Sequence, residues 1–581
     1  MKRKLISMLS LLLVLAMLAS CGATGKSDTK ETKSNSSETK GTNASDTGDE
    51  KEESGTVSGG KSTVRIPLYA EPSSLDPGFG NSSDSICPRG IMFEGLVRIY
   101  DNKIEPAIAE SWDISEDGMT YTFHLRDTKW ADGQPVTAQD FEYGIKRLLD
   151  PGEDAPNGNY SWMGYYFKNG EEFNNGQCTA DEVGVKAIDE KTLEITAVRN
   201  MPYFLDLMKM PCFYPVRQDI AEQYGKEYAS SPEKVLCNGP FILTQWDHDS
   251  KLVFEKNPGY WNADAINVNS IEAYIISDDN TIMDMFDNGE LDITITIPKE
   301  QIQTYIDNGE AVNIVGATIW YSAINTKTDR GEASKLLQNK SFRQAFSYAI
   351  DRDGLVQAAR GDGSFGVTRM MPEFMAICDT TWAEKFPVES QLPTSADTDK
   401  AAELFEQALA ETGLSKDSLP KMTILTFDED AAKTTATILQ SVLKTTFNID
   451  AEIDTQTYSA RQEKENQGEY DFCITNWAPD YNDPMTFLEC YTTGSSYNLY
   501  FGGFQSEAYD ALIKEANETD DLEKRAELLF EAENMAVEEM FCVPLFQTSG
   551  YWAKKTDLEG VTKCGFGAND PDFSRVNYVG E

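Results

Sequence analysis

The chain has 581 residues, 40% of them apolar and 11% aromatic, enough to build several packed domains and too much for a disordered chain. A formal net charge of −45 makes nucleic acid and anionic membrane surfaces poor partners and favours cationic ligands at long range. Ten cysteines are scattered without a C-x-x-C pair. Nine remain after Cys21, an odd number, so neither a metal ribbon nor a complete disulfide framework is expected.

Residues 1–20 read as an address. Lys2-Arg3-Lys4 is a basic start and Leu5 to Ala19 an apolar run too short for a comfortable membrane span. It ends in Leu18-Ala19-Ser20-Cys21-Gly22, which resembles the lipobox of bacterial lipoproteins. That resemblance implies cleavage before Cys21 and a lipid anchor on it. Residues 22–60 hold only Ala23, Ala44 and Val57 as apolar side chains and are expected to stay disordered. Such a tether reaches about 35 Å.

The globular body is expected from about Ser62. Thr63 to Leu68 alternates like a strand, and Ala70-Glu71-Pro72-Ser73 opens a turn-rich loop. Asp117-Gly118 marks a hairpin, after which Tyr121, Phe123 and Leu125 share one strand face. Asp132-Gly133 turns again. Thr137 with Asp140 forms a capping-box variant, and Phe141, Ile145, Leu148 and Leu149 make one helical stripe that ends at Asp150-Pro151. Thr318 to Asn325 alternates like a strand; 342–350 and 522–540 read as amphipathic helices. Met422 to Thr426 reads as a strand followed by a helix through Leu443, the alternation of an α/β domain. Tyr470 to Thr475 is a strand that runs into Asn476-Trp477-Ala478-Pro479-Asp480-Tyr481-Asn482-Asp483-Pro484. Turn chemistry there sets one carboxylate, Asp480, beside a large aromatic, an arrangement that suits capture of one positive charge. An EF-hand is excluded, since its sixth and twelfth positions would be Met485 and Tyr491.

Catalytic chemistry is thin. The two histidines, His124 and His248, lie in a strand and a polar loop, and no nucleophile elbow, zinc helix, P-loop or dinucleotide turn occurs. The expectation is a protein that is not an enzyme and uses no cofactor or metal.

The order Ser-Trp, Asp-Gly, Tyr-x-Phe-x-Leu-Arg, Trp-x-Asp-Gly-x-Pro-Val-Thr-Ala-x-Asp-Phe over 111–141 resembles the extracellular solute-binding proteins of oligopeptide and dipeptide ABC importers. Asn238-Gly239-Pro240-Phe241, Lys256 to Trp261, Phe286 to Asp292, Phe342 to Arg352 and the Asp480 segment follow in the family's order. Composition and periodicity alone reach only an exported, acidic, multidomain α/β chain. The resemblance implies a periplasmic-binding-protein-like fold: two α/β lobes joined by hinge strands, with an extra inserted domain. It divides the body into lobe I (61–83, 191–318 and 545–581), an inserted domain (84–190) and lobe II (319–544). It implies an oligopeptide held between the lobes of a monomer and passed to ABC permease subunits, with no nucleic acid involved. Asp480 would pair with the peptide α-ammonium, with Trp477, Tyr481 and Asn482 around it. Cys473 to Trp477 would offer strand hydrogen bonds, and Glu71 to Ser73 would pair the other peptide edge. Asn325 reads equally as a cleft residue or a turn residue. One position departs from the pattern: Ile474 stands where some oligopeptide binders carry an arginine for the peptide carboxylate. A dipeptide, nickel complex or other solute, a peptide-signal receptor or adhesin, and a secreted hydrolase are the competing readings.

Overall fold

In the computed structural model the described residues are 62–79, 83–100, 103–152, 161–378, 380–387, 392–479, 481–565 and 571–579, all within the unit Gly59–Glu581. Cys21, the tether and Asp480 lie outside them.

Strand β1 (Thr63–Leu68) begins the first sheet. The chain then leaves it for a second sheet before returning. That second sheet is built from β2 (Ala109–Ile114), β3 (Thr120–Leu125), β4 (Val185–Ala187) and β5 (Thr192–Thr196), in the order β2-β3-β5-β4. Gly118 makes the β2–β3 turn at a φ of 68°, where a side chain would be strained. Tyr121, Phe123 and Leu125 are buried, as the alternation requires. Helix α1 (Ala138–Leu149) carries the expected capping box: the Thr137 amide donates to Asp140 Oδ2 at 2.8 Å. Its stripe of Phe141, Ile145, Leu148 and Leu149 is buried. The expected boundary at 190 falls between two paired strands, β4 and β5, so a division there would split one sheet. Phe204, in α2 (Phe204–Leu207), stacks on Tyr121, and Phe213 packs against Phe167, so the chain beyond β5 still covers this sheet.

Strands β6 (Phe241–Asp247), β7 (Lys251–Lys256) and β8 (Ser270–Ile275) complete the first sheet in the order β1-β8-β7-β6, with β1 parallel to β8. A buried polar contact ties the segment before the second sheet to the one after β7: the Glu94 carboxylate accepts from Tyr260 Oη at 2.7 Å and from Arg98. The chain's far end closes this lobe, with Tyr578 Oη donating to the Thr63 carbonyl at 3.0 Å.

The third sheet is entered by β9 (Ala311–Ile324), fourteen residues long. Helices α3 (Lys340–Tyr348) and α4 (Arg352–Ala359) and the short β10 (Phe365–Gly366) follow. Next come β11 (Met422–Phe427), α5 (Asp430–Phe447), β12 (Ala451–Gln456), α6 (Tyr458–Gln467) and β13 (Phe472–Trp477). Helix α7 (Leu522–Glu539) precedes β14 (Cys542–Ala553). The sheet order is β10-β14-β9-β13-β11-β12.

Strands β9 and β14 are the crossing pair. Ala311–Val315 pairs with Ser549–Ala553, pairing breaks, and it resumes at Ile319 opposite Gln547. In the gap the Gln547 side chain donates to the Gly316 carbonyl at 2.9 Å. A Cβ on Gly316 would stand 2.7 Å from Thr548 Oγ1, so only glycine fits there without a shift. Two strands with an interrupted ladder are the kind of connection about which lobes hinge.

Candidate functional site: a fork between parallel strands

Strands β11 and β13 are parallel neighbours, but they pair only through Ile424–Phe472 and Leu425–Cys473. Beyond Cys473 they part. From Ile474 to Trp477, β13 keeps a strand partner on the β9 side alone. The connections diverge here too. Helix α5 packs on the face of Phe472 and Ile474, whereas α6 sends Arg461 and Glu465 to Thr475 and Cys473 on the other face. In open α/β sheets, ligands lie beyond the carboxyl ends of strands at such a switch point.

The fork is walled by Phe427, Thr475, Tyr458 and Arg461. The Arg461 guanidinium sits 5.2 Å from the Phe427 ring and 4.9 Å from the Tyr458 ring, and donates to Thr475 Oγ1 at 2.7 Å and Glu465 Oε2 at 2.8 Å. Its Nε is buried without a hydrogen-bond partner. Burial pushes the Glu465 carboxyl up against the opposing pull of Arg461. Tyr458 is 56% exposed and forms the rim.

The antiparallel register places Trp477 opposite Ile319 and carries the chain towards Gly316. Gly316 lines a cavity of about 430 Å³ that also touches Tyr69, Asp84, Arg360, Tyr551 and Lys563. The cavity lies at the strand crossing, lined by β1 of the first sheet and by β9 and β14 of the third. Among the described residues no group of three His, Cys, Asp or Glu side chains is placed to hold a metal, and no helix is long and apolar enough to cross a membrane.

Residues 103–498 match the family "Bacterial extracellular solute-binding proteins, family 5 Middle". The chain belongs to this family. Among the relatives of this solute-binding protein is the oligopeptide-binding protein OppA of Bacillus subtilis, 33% identical over 519 residues, covering 88% of this chain and 92% of the relative. The unliganded open form of MppA, a periplasmic murein tripeptide binding protein, superposes with a TM-score of 0.75 at 27% identity, covering 90% of this chain and 98% of MppA. A second MppA structure, from Escherichia coli, gives 0.66 at 27% identity over 90% of this chain and 99% of its own.

The candidate ligand residues scatter in this solute-binding protein. Trp477 is half-buried at the fork; its Nε1 donates to the Thr486 carbonyl at 3.0 Å, and Tyr497 and Phe501 meet its ring edge-on. Cys473 is fully buried and paired on both sides, and Ile474 and Thr475 are buried as well, so the accessible part of the edge begins at Asn476, three residues later than expected. Tyr481 is 2% exposed, stacked on Tyr203 with its hydroxyl given to Glu489 at 2.9 Å, which is packing rather than ligand contact. Asn482 Oδ1 accepts from the Ala376 amide at 2.8 Å. Glu71 is committed to the β6–β7 hairpin: it accepts from Trp246 Nε1 and His248 Nδ1, each at 2.7 Å. The Ser73 amide donates to Ser85 Oγ at 3.0 Å. Asn325 takes the turn role, its amide bonded to the Gly468 and Tyr470 carbonyls. Ile474 belongs to the helix-side core with Phe472.

Arg461 and Phe427 went unnoticed in the sequence. The alternation in Ala451-Glu452-Ile453-Asp454-Thr455-Gln456 marks the missing strand β12. With that strand placed, the β–α–β–α–β order points to a crevice between β11 and β13.

Proposed function

We propose that this protein captures extracellular oligopeptides between its two lobes and presents them to the permease of an ABC importer. The carrying observation is the one-sided edge of β13, which becomes accessible at Asn476 and Trp477. A sheet edge recognises the main chain, which every peptide shares. A roomy cavity at the strand crossing leaves side chains to water, which adapts to each. The oligopeptide-binding protein of Bacillus subtilis supports the same ligand class. Binding without chemistry needs no nucleophile or metal, in keeping with the thin catalytic inventory.

Asp480, which follows that edge, is assigned to the peptide α-ammonium. The lobes are assigned as 62–83, about 236–318 and 545–579 for lobe I, 84 to about 235 for the inserted domain, and 319–544 for lobe II. The body acts as a monomer, tethered by residues 22–60 to a lipid on Cys21. Native mass spectrometry of the purified protein, followed by sequencing of what it releases, tests the ligand class: a mixed set of peptides is expected, and a single non-peptide mass refutes it. Asp480→Ala should weaken peptide binding by at least about tenfold, the worth of a charge-assisted hydrogen bond; unchanged affinity sinks that assignment. Cys21→Ser should move the protein from the membrane fraction to the soluble one, and a protein that stays put has another anchor.

A further inference from the structure

The loop after β13 is held more tightly than a turn requires. Tyr481 and Asp483 are 2% and 3% exposed, although connecting loops normally run over the surface. Three anchors reach three consecutive residues from different parts of the chain. The Tyr481 ring lies on the Tyr203 ring, with centroids 4.0 Å apart and planes 10° apart. Tyr203 comes from the segment that leads into α2 of the inserted domain, and its hydroxyl accepts from Arg199 Nη2 at 3.1 Å. Asn482 accepts from the Ala376 amide. Asp483 takes a two-pronged bond from Arg525 in α7: Nη1 to Oδ2 at 2.8 Å and Nη2 to Oδ1 at 2.7 Å. Asp483 Oδ1 also accepts from the Met485 amide at 2.9 Å, closing the turn.

A buried arginine–carboxylate pair is a poor way to gain stability, because both charges leave water. What the planar fork supplies is direction: it fixes both the place and the rotation of the carboxylate. A flat ring stack adds a second constraint, from a domain outside lobe II. A charged hydrogen bond to a ligand tolerates a displacement of only about 0.5 Å.

We propose that Tyr203 and Arg525 are positioning residues for amine recognition: they fix the 481–485 loop, so that the inserted domain and α7 together set how strongly a free peptide amine is held. This rests on the reading of Asp480 as the ammonium partner. It assigns the inserted domain a part in binding, acting through the loop.

The test compares penta-alanine with N-acetyl-penta-alanine by titration calorimetry on the purified full-length protein. The wild type should hold the free amine at least about tenfold tighter than the acetylated form. Tyr203→Leu and Arg525→Lys should each bring that ratio below about threefold while N-acetyl-penta-alanine binds as before, because lysine cannot reproduce the two-pronged geometry. Tyr203→Phe keeps the ring and should keep the ratio. If Tyr203→Leu fails to fold, Arg525→Lys decides. Ratios preserved in both variants, or the two affinities falling in parallel, would overturn the positioning role and leave the ammonium reading intact. A wild type that binds both forms equally removes the ammonium reading, and a wild type that binds neither removes the peptide reading; each takes this inference with it.

Discussion

Asn325→Ala separates a staple from a ligand contact. Asn325 is 1% exposed at the end of β9. Its Nδ2 donates to the Gly468 carbonyl at 2.8 Å, the Tyr470 carbonyl at 2.9 Å and Thr328 Oγ1 at 2.5 Å, and its Oδ1 accepts from the Lys327 and Thr328 amides at 3.1 and 3.0 Å. Gly468 keeps a second donor, Thr328 Oγ1 at 2.9 Å, so truncation chiefly orphans the Tyr470 carbonyl and loosens two turn amides. One orphaned buried acceptor and two weakened bonds come to about 3 kcal/mol. A unit of about 520 residues unfolding as a whole has an entropy near 1.1 kcal/mol/K, so the melting temperature should fall by about 3 °C. Scanning calorimetry with and without penta-alanine reads both effects, and the ligand-induced rise in melting temperature should match that of the wild type. An unchanged melting temperature with weakened peptide binding would return Asn325 to the cleft and refute this reasoning.

Two further perturbations have signed outcomes. Burial, opposed by Lys209 and reinforced by the nearby Asp483, pushes the Asp206 carboxyl from 3.8 up to about 6. The folded state therefore holds this proton more tightly than the unfolded chain does. The associated stability is fully present below about 3.8 and lost as pH rises through about 6. Melting temperature should climb on acidification through that window, and Asp206→Asn should flatten the climb; a variant with an unchanged pH profile shows that another group is responsible. Gly316→Val forces a side chain against Thr548 at the strand crossing, an overpacking that costs about 1–3 kcal/mol. It should reduce the compaction that peptide causes in small-angle scattering, and compaction equal to that of the wild type would mean the lobes do not close about this point.

Local pattern reached the elements whose partners are near in sequence. The Asp117-Gly118 hairpin, the alternation of Tyr121, Phe123 and Leu125, and the Thr137–Asp140 box are each settled within a few residues, and each is present. Asn325 could not be read that way, because its role depends on carbonyls 143 and 145 residues away. Tyr481 sits in an ordinary turn sequence, and nothing in that turn announces Tyr203. Glu71 looked available because Trp246 and His248, which occupy it, come after an entire inserted sheet. The boundary at 190 divides a pair of strands for the same reason. Strand β5 pairs back to β3 across some 70 residues, and no composition change marks the end of that sheet.

The bond from Tyr578 to the Thr63 carbonyl spans 515 positions. Ribosomes deliver β1 long before Tyr578, so the lobe that contains both stays unfinished until Tyr578 has been made. Lobe II cannot serve as a finished scaffold in the meantime, since its sheet needs β14, which is itself late. Contacts of such sequence separation form slowly and leave apolar strands uncovered while they wait. The price of sharing two strands between lobes is a long interval in which apolar strands wait uncovered, and removal of Tyr578 should harm folding out of proportion to the size of the change.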